Sequence, residues 1–343
     1  MADKAKSNRL VEVDALRGVA ALAVVLFHYT TRFNELFGWN PLPAISFPDG
    51  HFGVNLFFII SGFVIFMTLE KTSRPMDFVV SRFSRLFPAY WAAILLTFSI
   101  THWLGLPDKL VDAPTAFANI PMIHGLFSIQ HVDSVYWTLE VELLFYCGMF
   151  TLYRLGCLNR IHLALLSLLV LRLAYFILNR VWGIELSWTL SHLLNLKFIP
   201  WFALGISIYL FISRNGKESW KKPGLTASSA ILCLLIVDSL FLALLATVLA
   251  TAVYLAASGR ASLLRHGILV WLGSISYPLY LLHENIGWSL LLQLQSRGVS
   301  TDVAIVIGIA VSLVMATALT YLIEQPAMRW IRNRYRTRLA LAQ

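Results

Sequence analysis

Three costly side chains on one apolar stretch pose the first chemical question. The run from Asp14-Ala-Leu-Arg17 to His28-Tyr29 is long and apolar enough to cross a bilayer, yet it carries a carboxylate, a guanidinium and an imidazole. At a helix centre in a membrane an Arg or Asp costs about 2.5–3.5 kcal/mol on insertion scales, so such groups ask for a job. Arg17 and His28 stand eleven residues apart, about three helical turns, and therefore project from one face at depths about 16 Å apart. An imidazole there could take up and release protons near neutral pH.

Two more groups join it. Counted at about 1.5 Å per residue, His28 and His283 reach a common height about 20 Å from the basic end of their runs. Glu142 lies on a run travelling the other way, about 9 Å below its outer end, which predicts the same layer. Glu140, Glu284 and Lys197 border it. A second layer forms at the opposite end, where Ser81-Arg82-Phe83-Ser84-Arg85 sets two guanidinium forks at i and i+3, a spacing suited to phosphate. Asp14 and Arg17 begin their run at that depth, and Glu324 ends its own run there.

The elements that must position these groups are transmembrane helices. Of 343 residues, 58% are hydrophobic and 13% charged, about half the charge of a soluble domain. Apolar runs of bilayer length fall near 14–34, 52–70, 83–104, 136–154, 162–180, 193–213, 268–290 and 302–324. Residues 225–257 are too long for one crossing, and Asp238-Ser239 divides them into 225–238 and 240–257. The expectation is a single all-α, polytopic bundle of about ten spans ending in a basic tail over 325–343.

Lys and Arg outnumber Asp and Glu by 27 to 18, a net charge of +9. Twenty of the 27 lie in the termini and alternate loops, among them Lys4, Lys6, Arg9, Lys71, Arg74, Arg214, Lys217 and the tail from Arg329 to Arg338. Only Arg32, Lys109, Arg180 and Arg297 fall on the other side, while Arg17, Arg172 and Lys197 lie within runs. This positive-inside pattern predicts cytoplasmic N- and C-termini in an inner (plasma) membrane, with an uncleaved first span. Topology and anionic lipid account for the charge, so no nucleic-acid partner is expected. Cys147, Cys157 and Cys233 show no paired spacing, which argues against a disulfide framework or a metal site.

From the residues alone two classes remain open. One is a transporter or proton-coupled carrier that uses the buried layer as a relay. The other is an enzyme passing a group from a cytoplasmic donor to an acceptor outside.

Several stretches then fall in a familiar order: Asp14-Ala-Leu-Arg17-Gly18 with His28, an Arg-x10-His pattern; Gly53-Val-Asn-Leu-Phe-Phe-Ile-Ile-Ser61-Gly62-Phe63; Arg82-x-x-Arg85; Tyr136-Trp137-Thr-Leu-Glu140-Val-Glu142; Ile275-Ser276-Tyr277 to His283; and Glu324-Gln-Pro326. Together they resemble the integral-membrane acyltransferase-3 family, which O-acylates sugars and polysaccharides at the cell envelope. The resemblance implies ten core spans with both termini cytoplasmic and acyl-CoA, most simply acetyl-CoA, as co-substrate. Its phosphates would meet Arg82 and Arg85, with Arg17 and Asp14 at the same mouth. His28 would be the general base toward a hydroxyl of a sugar, polysaccharide or lipid-linked glycan, a covalent acyl-histidine being the alternative. Glu142 would orient or charge-stabilise an imidazole, and His283 or Tyr277 would polarise the thioester. Asn55, Trp137, Glu140 and Glu284 are the candidate acceptor contacts. Asn55 stands where an acidic residue is frequent and Glu284 where an apolar or aromatic one is common.

Overall fold

The structure, a computed structural model, describes residues 10–185, 187–213 and 220–341. Lys4, Lys6, Arg9, Arg214 and Lys217 lie outside the described residues. Those described form helices and loops, with no strand among them. The long helices are α1 (Val11–Leu26), α2 (Gly53–Glu70), α3 (Pro75–Leu104), α4 (Trp137–Arg154), α5 (Ile161–Trp182) and α6 (Ile199–Ser213). They continue with α7 (Lys221–Val237), α8 (Leu240–Ala257), α9 (Gly267–Leu282), α10 (Glu284–Ser296), α11 (Thr301–Leu319) and α12 (Gln325–Leu341).

Among the described residues five helical stretches, Pro48–Glu70, Pro75–Leu104, Leu158–Trp182, Leu240–Ala257 and Thr301–Leu341, are long and apolar enough to cross a membrane, and α6 and α9 are shorter apolar helices. Large apolar side chains such as Leu95, Val170, Leu244, Val248, Val306 and Val314 cover the outside, whereas Glu140, Arg172, His283, Glu284 and Glu324 are buried. Ionisable groups held inside the bundle, with apolar side chains outside, suit lipid as solvent.

Two glycine crossings bring helices to backbone contact. Gly18 of α1 lies against Gly273 of α9, where a Cβ on Gly18 would stand 2.5 Å from the Gly273 nitrogen. Gly62 of α2 meets the Phe202 backbone of α6, and Gly205 of α6 meets Ile59 and Phe63 of α2. Without a hydrophobic drive between helices in lipid, such small-residue contacts let dispersion hold the pair. Ten residues beyond Gly18 comes His28, and ten beyond Gly273 comes His283. The two helices run parallel, so one crossing sets the register of both imidazoles.

Regular helix is interrupted where the polar residues stand. After α1 the chain widens into a π-helical turn at Phe27–Arg32, which holds His28, before a last helical turn at Phe33–Phe37. A second π-helical turn at Thr320–Glu324 holds Glu324 and joins α11 to α12 in one rod. Such turns are rare and gather at functional sites. The run near 268–290 is two helices, α9 and α10, that break at His283. Residues 325–341, read from sequence as a tail, are helical and pack against α3: Arg332 Nε donates to Ser84 Oγ at 3.0 Å, and the Tyr335 hydroxyl to Asp77 Oδ1 at 2.8 Å.

Replacing Gly18 by Leu should force α1 from α9 and cost about 1–3 kcal/mol, the usual penalty for overpacking. Gly148→Ala is the control, because nothing lies within 4 Å of a Cβ there. Thermal unfolding in detergent should show a lower midpoint for the first and an unchanged or raised one for the second.

Candidate active site

His28 and His283 form the centre. His283 sits at the α9–α10 junction, where its Nδ1 faces the carbonyls of Tyr280 at 2.9 Å and Leu279 at 3.2 Å. Carbonyls only accept, so Nδ1 carries the proton and a neutral His283 offers its Nε2 lone pair. That Nε2 lies 2.9 Å from His28 Nδ1, which also lies 3.0 Å from the Val24 carbonyl. Both neighbours are acceptors, so His28 carries its proton on Nδ1. His28 Nε2 is then left as a free base, 3.6 Å from Glu284 Oε2.

The pair is braced from several sides. The Trp288 indole donates to the His28 carbonyl at 3.0 Å, one of the groups loosened by the π-helical turn. The Tyr29 hydroxyl donates to the His283 carbonyl at 2.7 Å and so must accept from Ser312 Oγ at 2.6 Å. One residue after Glu284, the Asn285 amide donates to buried Asp133 Oδ2 at 3.1 Å and its side chain to the Val132 carbonyl at 2.9 Å. These bonds fix the ring orientations, which a general base requires.

His28 and Glu284 line a cavity of about 410 Å³ together with Asn55, Trp137, Arg32 and Lys109. A second, narrow cavity of about 40 Å³ is lined by Arg17, Ser61, Glu142, Tyr277 and Tyr280. Arg17 and His28 thus belong to different cavities, but Val54 and Tyr280 line both. They make the neck, a wall common to an imidazole chamber and an arginine chamber.

Beyond the arginine chamber lie Arg82 and Arg85. The Arg82 guanidinium lies 6.0 Å from the Phe78 and Tyr146 rings and donates to Ser81 Oγ at 3.1 Å, while its buried Nε has no hydrogen-bond partner. Arg85 is ion-paired with buried Glu324 and lies 5.8 Å from the Tyr277 ring. The two forks differ: one charge is already matched inside the protein, the other faces aromatic rings.

Three candidates stand apart from the imidazoles. The chamber of His28 is level with the first turn of α4, where Trp137 lines it, and Glu142 follows five residues later, about 7.5 Å deeper. Glu142 Oε1 instead accepts from Ser61 Oγ at 2.5 Å and from the Tyr146 hydroxyl. Tyr277, six residues before His283, lies correspondingly lower, and its hydroxyl donates to the Leu86 carbonyl at 2.9 Å. Glu140 is rotated about 200° from Glu142 on the helix. It faces away, accepting from the Gly125 amide at 2.9 Å and lying 3.3 Å from His192 Nε2. Beside it His124 Nε2 and His131 Nδ1 are 2.6 Å apart, and burial lowers both imidazoles from their ordinary value, His124 to about 4. Asp14 stays where α1 crosses Gly273. Among the described residues no three His, Cys, Asp or Glu side chains converge to hold a metal ion.

Arg32, Lys109 and Trp288 were not singled out from sequence as site residues, yet all line the imidazole chamber. A signal existed for the first two. They are among the four basic residues that break the positive-inside pattern.

A profile of the family described as acyltransferase domain, acyltransferase-3 type, matches residues 10–325. Among curated proteins, the chain is 34% identical to protein 2 in the picA locus of Rhizobium radiobacter, over 31% of this chain and 54% of that protein. It is 29% identical to a protein of Komagataeibacter xylinus that carries the name membrane-bound transacylase BcsY, over 45% of this chain and 39% of that protein. Acyltransferase MdmB of Streptomyces mycarofaciens is 24% identical, over 95% of this chain and 93% of that protein. The chain spans about half the length of the first of these relatives and less of the second. No solved structure matches. With nearly its whole length matched, from the first helix to the last π-helical turn, the chain belongs to the acyltransferase-3 family.

Proposed function

We propose that this membrane protein transfers an acyl group, most simply acetyl, from cytoplasmic acyl-CoA to a hydroxyl of a sugar, polysaccharide or lipid-linked glycan on the far side of a plasma (inner) membrane. In this reading the single bundle crosses ten times and both termini are cytoplasmic. The observation that carries it is the ordered imidazole pair, whose hydrogen bonds leave His28 Nε2 as a base facing a chamber. The neck at Val54 and Tyr280 supports a path for the donor from the arginine chamber.

The acyl-CoA phosphates lie on Arg82, with Arg17 nearer the bundle axis, and the thioester passes the neck. His28 Nε2 takes the proton of the acceptor hydroxyl while its oxygen attacks the thioester carbonyl. Glu284 stabilises the imidazolium, and Lys109, with the Arg32 guanidinium that also pairs with Glu35 at 2.7 Å, stabilises the negative charge that develops on the carbonyl oxygen. As the tetrahedral intermediate collapses, the C–S bond breaks and His28 returns the proton to the departing thiolate, giving an ester and free CoA. Both nitrogens of His283 are occupied, so it positions His28 rather than polarising the thioester. Asn55 and Trp137 contact the acceptor.

His28→Ala should lower kcat about 10³-fold while acetyl-CoA still binds. A rate near that of the parent, in purified protein supplied with acceptor, would remove the base from the mechanism. Proton or solute flux in liposomes without acyl-CoA consumption would instead favour the carrier.

The two arginines should part company. Arg82→Ala should raise the KM for acetyl-CoA at least tenfold with little loss of stability. Arg85→Ala strands Glu324, whose side chain is 1% exposed, and should cost about 3 kcal/mol. Adding Glu324→Gln should restore much of the unfolding midpoint.

Val54→Trp should close the neck. Calorimetry should then find acetyl-CoA binding retained and kinetics should find transfer reduced at least a hundredfold; transfer at the parental rate would mean that the donor takes another route.

A further inference from the structure

The segment that carries Lys197 and Phe198 into the imidazole chamber has a second side. Between α5, the short helix Trp188–Leu193 and the end of α7 lies a cavity of about 340 Å³, and Lys197 and Phe198 line it as well. It is therefore a neighbour of the chamber.

Its lining is built rather than incidental. The Trp188 indole stacks on the His192 ring at 4.7 Å and 13°, and His192 Nε2 lies 3.3 Å from Glu140 Oε1, so the stacked pair has a carboxylate behind it. Asn195 sits in the left-handed region at φ 51° and donates through Nδ2 to the Val141 carbonyl at 3.0 Å. That leaves its Oδ1 buried without a partner. Arg172, only 5% exposed, gives Nη2 to Asp238 Oδ2 at 2.6 Å, while its Nη1 finds no oxygen acceptor. Both atoms lie beneath the cavity surface, while Asn179, Ser191 and Lys197 bring amide, hydroxyl and ammonium groups to the lining itself, so the cavity joins an aromatic plane to groups that donate and accept. An indole at the bilayer interface would explain Trp188 alone, but not this polar rim.

A pyranose ring meets this description. One face presents C–H groups to an aromatic plane, and the rim presents hydroxyls that donate and accept. The volume is that of an ordinary small-ligand pocket. We propose that the cavity is an acceptor subsite, which holds the sugar ring adjoining the one that is acylated beside His28. The proposal rests on the acyltransferase reading above, and it makes the acceptor at least a disaccharide.

Saturation-transfer NMR on the full chain in nanodiscs tests it, with methyl hexopyranosides, cellotetraose and maltotetraose as probes and acetyl-CoA binding measured in parallel. At least one tetrasaccharide should receive saturation and bind better than its methyl glycoside. Trp188→Ala and Asn179→Leu, both at exposed positions on this cavity, should weaken it about tenfold and leave acetyl-CoA binding unchanged. Tetrasaccharide signals absent from the parent protein, or equal in both variants, would overturn the subsite. Loss of acetyl-CoA binding in the parent itself would instead overturn the acyltransferase reading.

Discussion

The close parallel contact of α1 with α9 at Gly18 and Gly273 is the constraint on which the rest depends. Backbones that touch there have no slack, and ten residues later the two histidines must meet. The hydrogen bond between the rings is thus a consequence of helix packing rather than of side-chain search. The Tyr29, Trp288 and Asn285 bonds tighten an arrangement that the crossing has already set. Because lipid gives helices no hydrophobic reason to associate, contacts of this kind carry much of the specificity of the bundle.

A second constraint is electrostatic. The chain buries Glu324 against Arg85, Arg172 against Asp238, and Glu284 beside His28, so costly groups are matched in pairs across helices far apart in sequence. Arg82 and Arg17 differ: among the described residues neither forms an ion pair with a carboxylate, and Arg82 lies against aromatic rings. In the proposed mechanism Arg82 keeps its charge for an anion from outside the protein. The proposed donor supplies one.

Much of this was legible in the amino-acid sequence, and for stated reasons. Apolar runs and family motifs announced a helical membrane acyltransferase, and the equal heights of His28 and His283 followed from helical rise alone. Glu142 escaped although α4 starts at Trp137, within one residue of the expected start: its depth was right, but the imidazoles stand level with the first turn of α4, a level that counting from the opposite ends of other runs does not fix. The helix break at His283 was hidden inside a continuous apolar run, and it is the break that turns Glu284 toward His28. Loops hid the most. Nothing in the spacing of Lys109 or Asp133 says that the 105–136 connection folds back onto the imidazoles, since helical periodicity is silent about loops.

In the proposed mechanism the neck at Val54 and Tyr280 bears on the cell's energy supply. A membrane that drives ATP synthesis must not leak protons, yet a protein that hands a group across it needs a continuous route. The arginine chamber has room for only a few waters, and the Tyr280 hydroxyl is anchored by a hydrogen bond of 3.0 Å with the Thr138 hydroxyl. In that mechanism a slender acyl arm fills the chamber and becomes the plug itself. In the proposed mechanism, insulation of the membrane and selection against bulky acyl chains are one property of the same few side chains.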